Sequence, residues 1–239
     1  MKPKTRLIIS CEHAGNHIPD AFQHLFRDFS GRLQTHRGWD IGALDLAEHL
    51  SQDSRALLFS HRVTRLLVDV HRSLYRRTLF SEVTKSQSKP VRQAILELYY
   101  YPYRNALESA VRRAIDDGYR VVHISQHSFT PILNGQVRHG DIGLLYNPGR
   151  QWEKPFAAAW KKQIQQQDPT LRVRYNYPYL GKPDGLPACF RRLFDDKHYI
   201  GFELEINQKI PLGSQTTWQH FKEVIARSLQ QALGNFFLP

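Results

Sequence analysis

VRQAILELYYYPYRNALESAVRRAIDDGYRVVHISQHSFTP, residues 91–131, holds one complete passage from helix to strand. Residues 91–117 carry a helical pattern, with a bend expected at Pro102, whose ring removes a backbone donor. Gly118 supplies the stop. Residues 120–125, RVVHIS, then read as a strand that gives way to loop at His127. Upstream, residues 7–10, 56–59 and 66–70 read as strands, the last so uniformly apolar that a central position is expected. Residues 40–50 place apolar side chains at 41, 44, 46, 47 and 50, the spacing of an amphipathic helix. Downstream, residues 141–146, 171–175 and 199–206 read as strands, and 152–167 and 215–233 as helices. This alternation argues an α/β sandwich with a mostly parallel sheet. The least regular segments are 11–39, 71–90, 126–140 and 176–198. Three of them begin at the C-terminal end of an expected strand, the edge where open α/β sheets bind ligands.

The chain has 239 residues, which at ~150 residues per domain is compatible with one large domain over 1–239. With 41% hydrophobic and 23% charged residues, it is neither disordered nor fibrous. Two cysteines, Cys11 and Cys189, are too few for a disulfide framework and suit a reducing compartment. No run approaches the ~20 apolar residues of a membrane span, and the short run at 7–9 is no signal segment. The expectation is a cytoplasmic protein with no membrane partner. Lys and Arg exceed Asp and Glu by 33 to 22, giving a formal charge of +11. That excess suits nucleic acid or small anions equally. The 12 histidines matter through their positions, because histidine is both a frequent metal ligand and a frequent acid or base.

Five segments gather residues that carry chemistry. Cys11-Glu12-His13-Ala14-Gly15-Asn16-His17 follows the first strand, with donors for a metal or an anion. Asp40 opens a helical pattern, where a carboxylate serves as an N-cap or reaches a metal. Arg65 precedes the apolar run that ends in Asp69-Val70-His71-Arg72. An arginine there can grip a carboxylate through paired hydrogen bonds, and Asp69 can orient a neighbouring His or Arg. His127 stands near a strand end, whereas His123 lies within the strand and reads as a core histidine. Glu203 and Glu205 share one strand face. Two carboxylates on such a strand are costly unless paired or used, and one could act as general base.

Taken in order, these segments resemble the N-formylglutamate amidohydrolase family. The resemblance rests on Cys11 through Pro19, Trp39-Asp40-x-Gly42-Ala43, Arg65, Asp69-x-His71-Arg72 and His127-Ser128-Phe129-Thr130-Pro131. Arg138, Gly143 through Asn147, Asn176-x-Pro178-Tyr179 and Glu205-Ile206 complete it. It implies a three-layer α/β/α sandwich with a mixed, mostly parallel sheet, similar to zinc-dependent exopeptidases. It further implies one Zn2+ held by His13, His127 and an acidic ligand, with Asp40 preferred over Glu12. Glu205 would be the general base, and Arg138 would stabilise the oxyanion. Arg72, Arg65, Asn16 and His71 would meet a small carboxylate-bearing N-acyl amino acid. His71 stands where the family commonly has Asn, Asn207 where the nearest branch often has Arg, and Glu203 has no named counterpart. Two alternatives remain: a carboxypeptidase- or acylase-like zinc hydrolase of another N-blocked substrate, and a non-catalytic anion or nucleic-acid binder on the same fold. His13, Asp40, His127 and Glu205, all intact, speak against the latter.

Overall fold

The computed structural model describes residues 4–237. β1 (Thr5–Cys11) leads through a 3-10 segment (Asp20–Phe29) into the single turn α1 (Ser30–Leu33). Next come α2 (Ala43–Ser54), β2 (Leu57–Ser60), α3 (Lys89–Ile95) and α4 (Tyr101–Asp116). β3 (Arg120–Phe129) is followed by a small hairpin, β4 (Ile132–Leu133) and β5 (Gln136–Val137). β6 (Ile142–Leu145), α5 (Glu153–Gln167), β7 (Val173–Tyr175), α6 (Leu186–Leu193), β8 (Tyr199–Asn207) and α7 (Gln215–Phe237) complete the order.

One six-stranded sheet runs β2-β1-β3-β8-β6-β7. The first four strands are parallel, and β6 pairs antiparallel to β8 and parallel to β7. The fold is therefore α/β, with a mixed, mostly parallel sheet. Alternation along each strand divides its side chains between two faces. Leu7 and Ile9, Val122 and Ile124, and Phe202 and Leu204 pack with Leu46, Trp160 and Phe221 of α2, α5 and α7. Ile8, Val121 and Tyr199 pack instead with Leu107 of α4 and Phe190 of α6. Helices thus cover both faces, which is why β1, β3 and β8 are apolar on both sides at their N-terminal ends.

The second face changes character toward the C-terminal ends of its strands. Ile8 is followed on that side by Ser10, Val121 by His123, Ser125 and His127, and Tyr199 by Gly201, Glu203 and Glu205. Register aligns Ser10 with Ser125, Ser125 with Glu203, and His127 with Glu205. All of these polar residues are buried. A buried polar stripe is unstable unless its groups are hydrogen-bonded or charge-paired, and the site lies along this stripe.

The structure differs from expectation in four segments. Residues 66–70 are not a strand. Leu67 and Asp69 donate their backbone N–H groups to Thr64 and Leu79, and the carbonyls of Leu66 and Leu67 accept from the hydroxyls of Ser81 and Thr84. The segment is apolar because it is the floor of a separate cluster with Phe22, Phe26, Ile95 and Tyr100. The central strand β3 runs on to Phe129 because β8 matches it as far as Asn207, so His127 lies inside a strand. Between α3 and α4 one π-helical turn (Leu96–Tyr100) widens the backbone just ahead of Pro102, so the helical stretch continues without a break. α6 emerges from a stretch read as irregular.

Candidate active site

Three donors converge at the C-terminal end of β3. Asp40 Oδ2 lies 2.9 Å from His127 Nδ1 and 3.3 Å from His13 Nδ1. The opposite nitrogens face other carboxylates: His13 Nε2 is 2.8 Å from Asp69 Oδ1, and His127 Nε2 is 2.9 Å from Glu12 Oε2. Each imidazole is therefore gripped from both ends by carboxylate oxygens, and one oxygen of Asp40 is shared between them. Two imidazole nitrogens with one carboxylate oxygen are a donor set suited to catalytic zinc. The atoms of His13, Asp40 and His127 lie close enough together to hold one ion. A second grouping, Glu12, His71 and His127, also satisfies that distance. Glu12 is fully buried and does not line the cavity, whereas His13, Asp40 and His127 do.

The cavity is about 410 Å³ and also takes in Arg65, Arg72, Arg76, Ser128, Tyr179, Asp184, Glu203 and Glu205. Burial pushes the Asp40 carboxyl upward, but Arg65 and the two imidazoles hold it far below the usual carboxylate range. Arg65 Nη1 donates to Asp40 Oδ1 at 3.0 Å, and its Nη2 lies 3.7 Å from Asp69. Asp69 is likewise held low against its burial, by His13 and Arg65. Glu205 is the opposite case. Burial lifts its carboxyl to about 8, His127 opposing and Asp40 adding, and its Oε2 is buried without a hydrogen-bond partner. Burial lifts Glu203 to about 7, and its nearest base, His71 Nε2, is 3.6 Å away. Burial and the neighbouring His127 push His71 down to about 3, so it stays neutral. Arg72 Nε is buried without a hydrogen-bond partner, 3.7 Å from Asp69, and Asp184 anchors both Arg72 and Arg76. A Cβ on Gly143 would fall 1.6 Å from the Tyr177 carbonyl oxygen. Glycine there lets the chain cross the sheet and bring Tyr179 to the cavity.

Residues 5–210 match the model of the N-formylglutamate amidohydrolase family. The chain belongs to that family. Two solved structures share its fold. A gene product from Agrobacterium tumefaciens superposes with a TM-score of 0.81 at 23% identity, covering 98% of this chain and 92% of that one. An N-formylglutamate amidohydrolase from Ralstonia eutropha gives 0.71 at 16% identity, covering 96% of this chain and 93% of its own. No curated protein matches the sequence. As a member of the N-formylglutamate amidohydrolase family, the protein is a hydrolase acting on an amide. Among the described residues no helix is long and apolar enough to cross a membrane.

Against this family background, the structure brings His13, Asp40, His127, Glu205, Arg72, Arg65 and His71 to one cavity. Asn16 is not brought there. Its Nδ2 donates to the Leu33 carbonyl and to Gln34, because the loop after β1 turns away beyond Ala14. Arg138 does not line the cavity either. It stacks 5.2 Å over the Tyr179 ring and donates to that ring's hydroxyl at 3.2 Å, so it meets the site through Tyr179. Asp184 and Arg76 are cavity residues that sequence reasoning passed over. Lys182-Pro183-Asp184-Gly185 has the composition of an ordinary turn, which hid Asp184.

Proposed function

We propose that this protein removes the formyl group, or another small acyl group, from the nitrogen of an acidic amino acid such as glutamate, using one zinc ion held by His13, Asp40 and His127. The observation that carries the reading is the meeting of the two Nδ1 atoms at Asp40 Oδ2, in the same cavity as the unpartnered carboxylate oxygen of Glu205. Bound there, zinc would supply Lewis acidity toward the scissile carbonyl and bring the deprotonation of water near neutral pH.

The remaining work falls to the chain. The value of about 8 belongs to the metal-free protein, and a cation beside it would ionise the Glu205 carboxyl near neutral pH; Glu205 then accepts a proton from the attacking water and delivers it to the departing nitrogen as the carbon–nitrogen bond breaks. Its position inside the strand keeps the carboxylate fixed. Formate, or the corresponding acid, and the free amino acid leave. Arg72 and Arg76 grip the substrate carboxylates, held at fixed spacing by Asp184. Arg65 keeps Asp40 ionised and adds positive charge beside the developing oxyanion. Arg138 holds Tyr179 at the mouth. Asp69 fixes the ring of His13.

The test is a substrate panel on zinc-loaded protein: N-formyl-L-glutamate, N-formyl-L-aspartate, N-acetyl-L-glutamate and N-formyl-L-methionine. The two acidic N-formyl compounds should give the highest kcat/KM. A preference for N-formyl-L-methionine would remove the carboxylate grip from the reading. Turnover of none of the four, with zinc bound, would overturn the function.

A further inference from the structure

Glu12 sits directly behind His127, fully buried, and the protons around it can be counted. Its Oε1 accepts the Tyr103 hydroxyl at 3.0 Å. Its Oε2 accepts the Ser125 hydroxyl at 2.5 Å and lies 2.9 Å from His127 Nε2; His71 Nδ1, 3.5 Å from the same oxygen, accepts the Leu186 N–H and brings no proton of its own. Ser125 Oγ is also 2.9 Å from that nitrogen. The one hydroxyl proton of Ser125 points to Glu12, so both oxygens around His127 Nε2 are acceptors. Nε2 must therefore carry a hydrogen, and in the neutral ring the lone pair is then on Nδ1, the atom beside Asp40.

We propose that Glu12 is a positioning residue: it locks His127 as the Nε2–H tautomer and so presents Nδ1 to the metal, without itself being a ligand. The proposal rests on the zinc reading above. It gives the whole buried group a single purpose. Three donors, the Ser125 hydroxyl, the Tyr103 hydroxyl and the His127 ring N–H, surround two carboxylate oxygens, and a carboxylate has the acceptor capacity for all of them. An amide in its place has one acceptor oxygen and brings an NH2 donor of its own. With its oxygen toward Ser125 and His127 the amide leaves the Tyr103 hydroxyl only the Phe59 carbonyl, 3.3 Å away; turned round, it leaves Ser125 and His127 facing an NH2. An amide NH2 facing Nε2 favours the other tautomer, whose Nδ1–H competes with the metal.

The experiment has two arms. In zinc-loaded wild type, long-range 1H–15N correlation spectra of the imidazoles should show His127 protonated at Nε2 and metal-bound at Nδ1. Glu12→Gln should still bind one zinc, about 10–100-fold more weakly. Its cobalt-substituted form should keep the coordination number read from the visible spectrum of wild type. Unprotonated Nε2 in wild type, an unchanged zinc Kd in Glu12→Gln, or a lower coordination number in its cobalt form would each overturn the proposal, the last by making Glu12 a ligand. Should Glu12→Gln fail to fold, the wild-type spectrum decides alone. Wild type that binds no zinc would sink the metal reading itself, which separates the two failures.

Discussion

Glu205→Gln keeps the shape of a buried side chain while removing its ability to exchange a proton. Two consequences follow from the geometry, and they are read by different assays. In the zinc-loaded enzyme kcat should fall about 10²–10⁴-fold, or about 2.7–5.5 kcal/mol of transition-state stabilisation, with KM little changed. In the metal-free protein the variant should change how stability depends on pH. The unfolded chain holds this proton to about 4.5 and the folded chain to about 8. Between those values the folded state binds more protons, so the group's contribution to stability is complete below 4.5 and is lost as pH rises through 8. The full loss is on the order of 5 kcal/mol, since each pKa unit is about 1.4 kcal/mol. Urea unfolding of chelated protein from pH 5 to 9 should therefore show wild type weakening along a steeper slope than Glu205→Gln, with the variant the more stable at pH 8.5. Glu203, lifted to about 7, leaves a shallower slope of the same sign in the variant. Full activity in Glu205→Gln would refute the base assignment, and identical slopes would refute the burial argument.

Other substitutions probe the supports. Asp69→Asn removes the charge 2.8 Å from His13 Nε2 and should weaken zinc binding about 10–100-fold by competition titration, without changing the stoichiometry. At Gly185 an added Cβ would fall 2.6 Å from His71 Nε2 and 2.8 Å from Glu203 Oε1. Gly185→Ala should cost about 1–3 kcal/mol in chemical unfolding, and KM should rise as the cavity wall shifts. Arg191→Met, on α6, strips Glu153 of the buried guanidinium 2.8 Å away; neither residue lines the cavity. A loss of about 3–5 kcal/mol is expected, with kcat of the folded fraction retained.

The sheet was readable because strands buried on both faces appear as short apolar runs, and residues 7–10, 120–125 and 199–206 lie inside β1, β3 and β8. Residues 66–70 share that composition for another reason. Their backbone groups are satisfied by side-chain hydroxyls from Ser81 and Thr84, a pairing that no local pattern announces. At the site, the two-residue spacing of Glu203 and Glu205 correctly put both on one face. Spacing could not rank Glu12 against Asp40, since that depends on which nitrogen of His127 each carboxylate meets. Asp184 reaches Ser73 and Arg72 across more than a hundred residues, so only the folded chain shows it as their anchor. The charge excess is also clearer. Arg65, Arg72 and Arg76 stand around the cavity, each beside a buried carboxylate.

The central claim is that one metal ion at His13, Asp40 and His127 makes this cavity an amidohydrolase site. Chelated protein titrated with zinc, while formate release from N-formyl-L-glutamate is followed, tests it most directly. Activity should rise from background and reach a plateau at one equivalent of zinc per chain. Hydrolysis that is indifferent to zinc, or absent at every zinc concentration in folded protein, would contradict it.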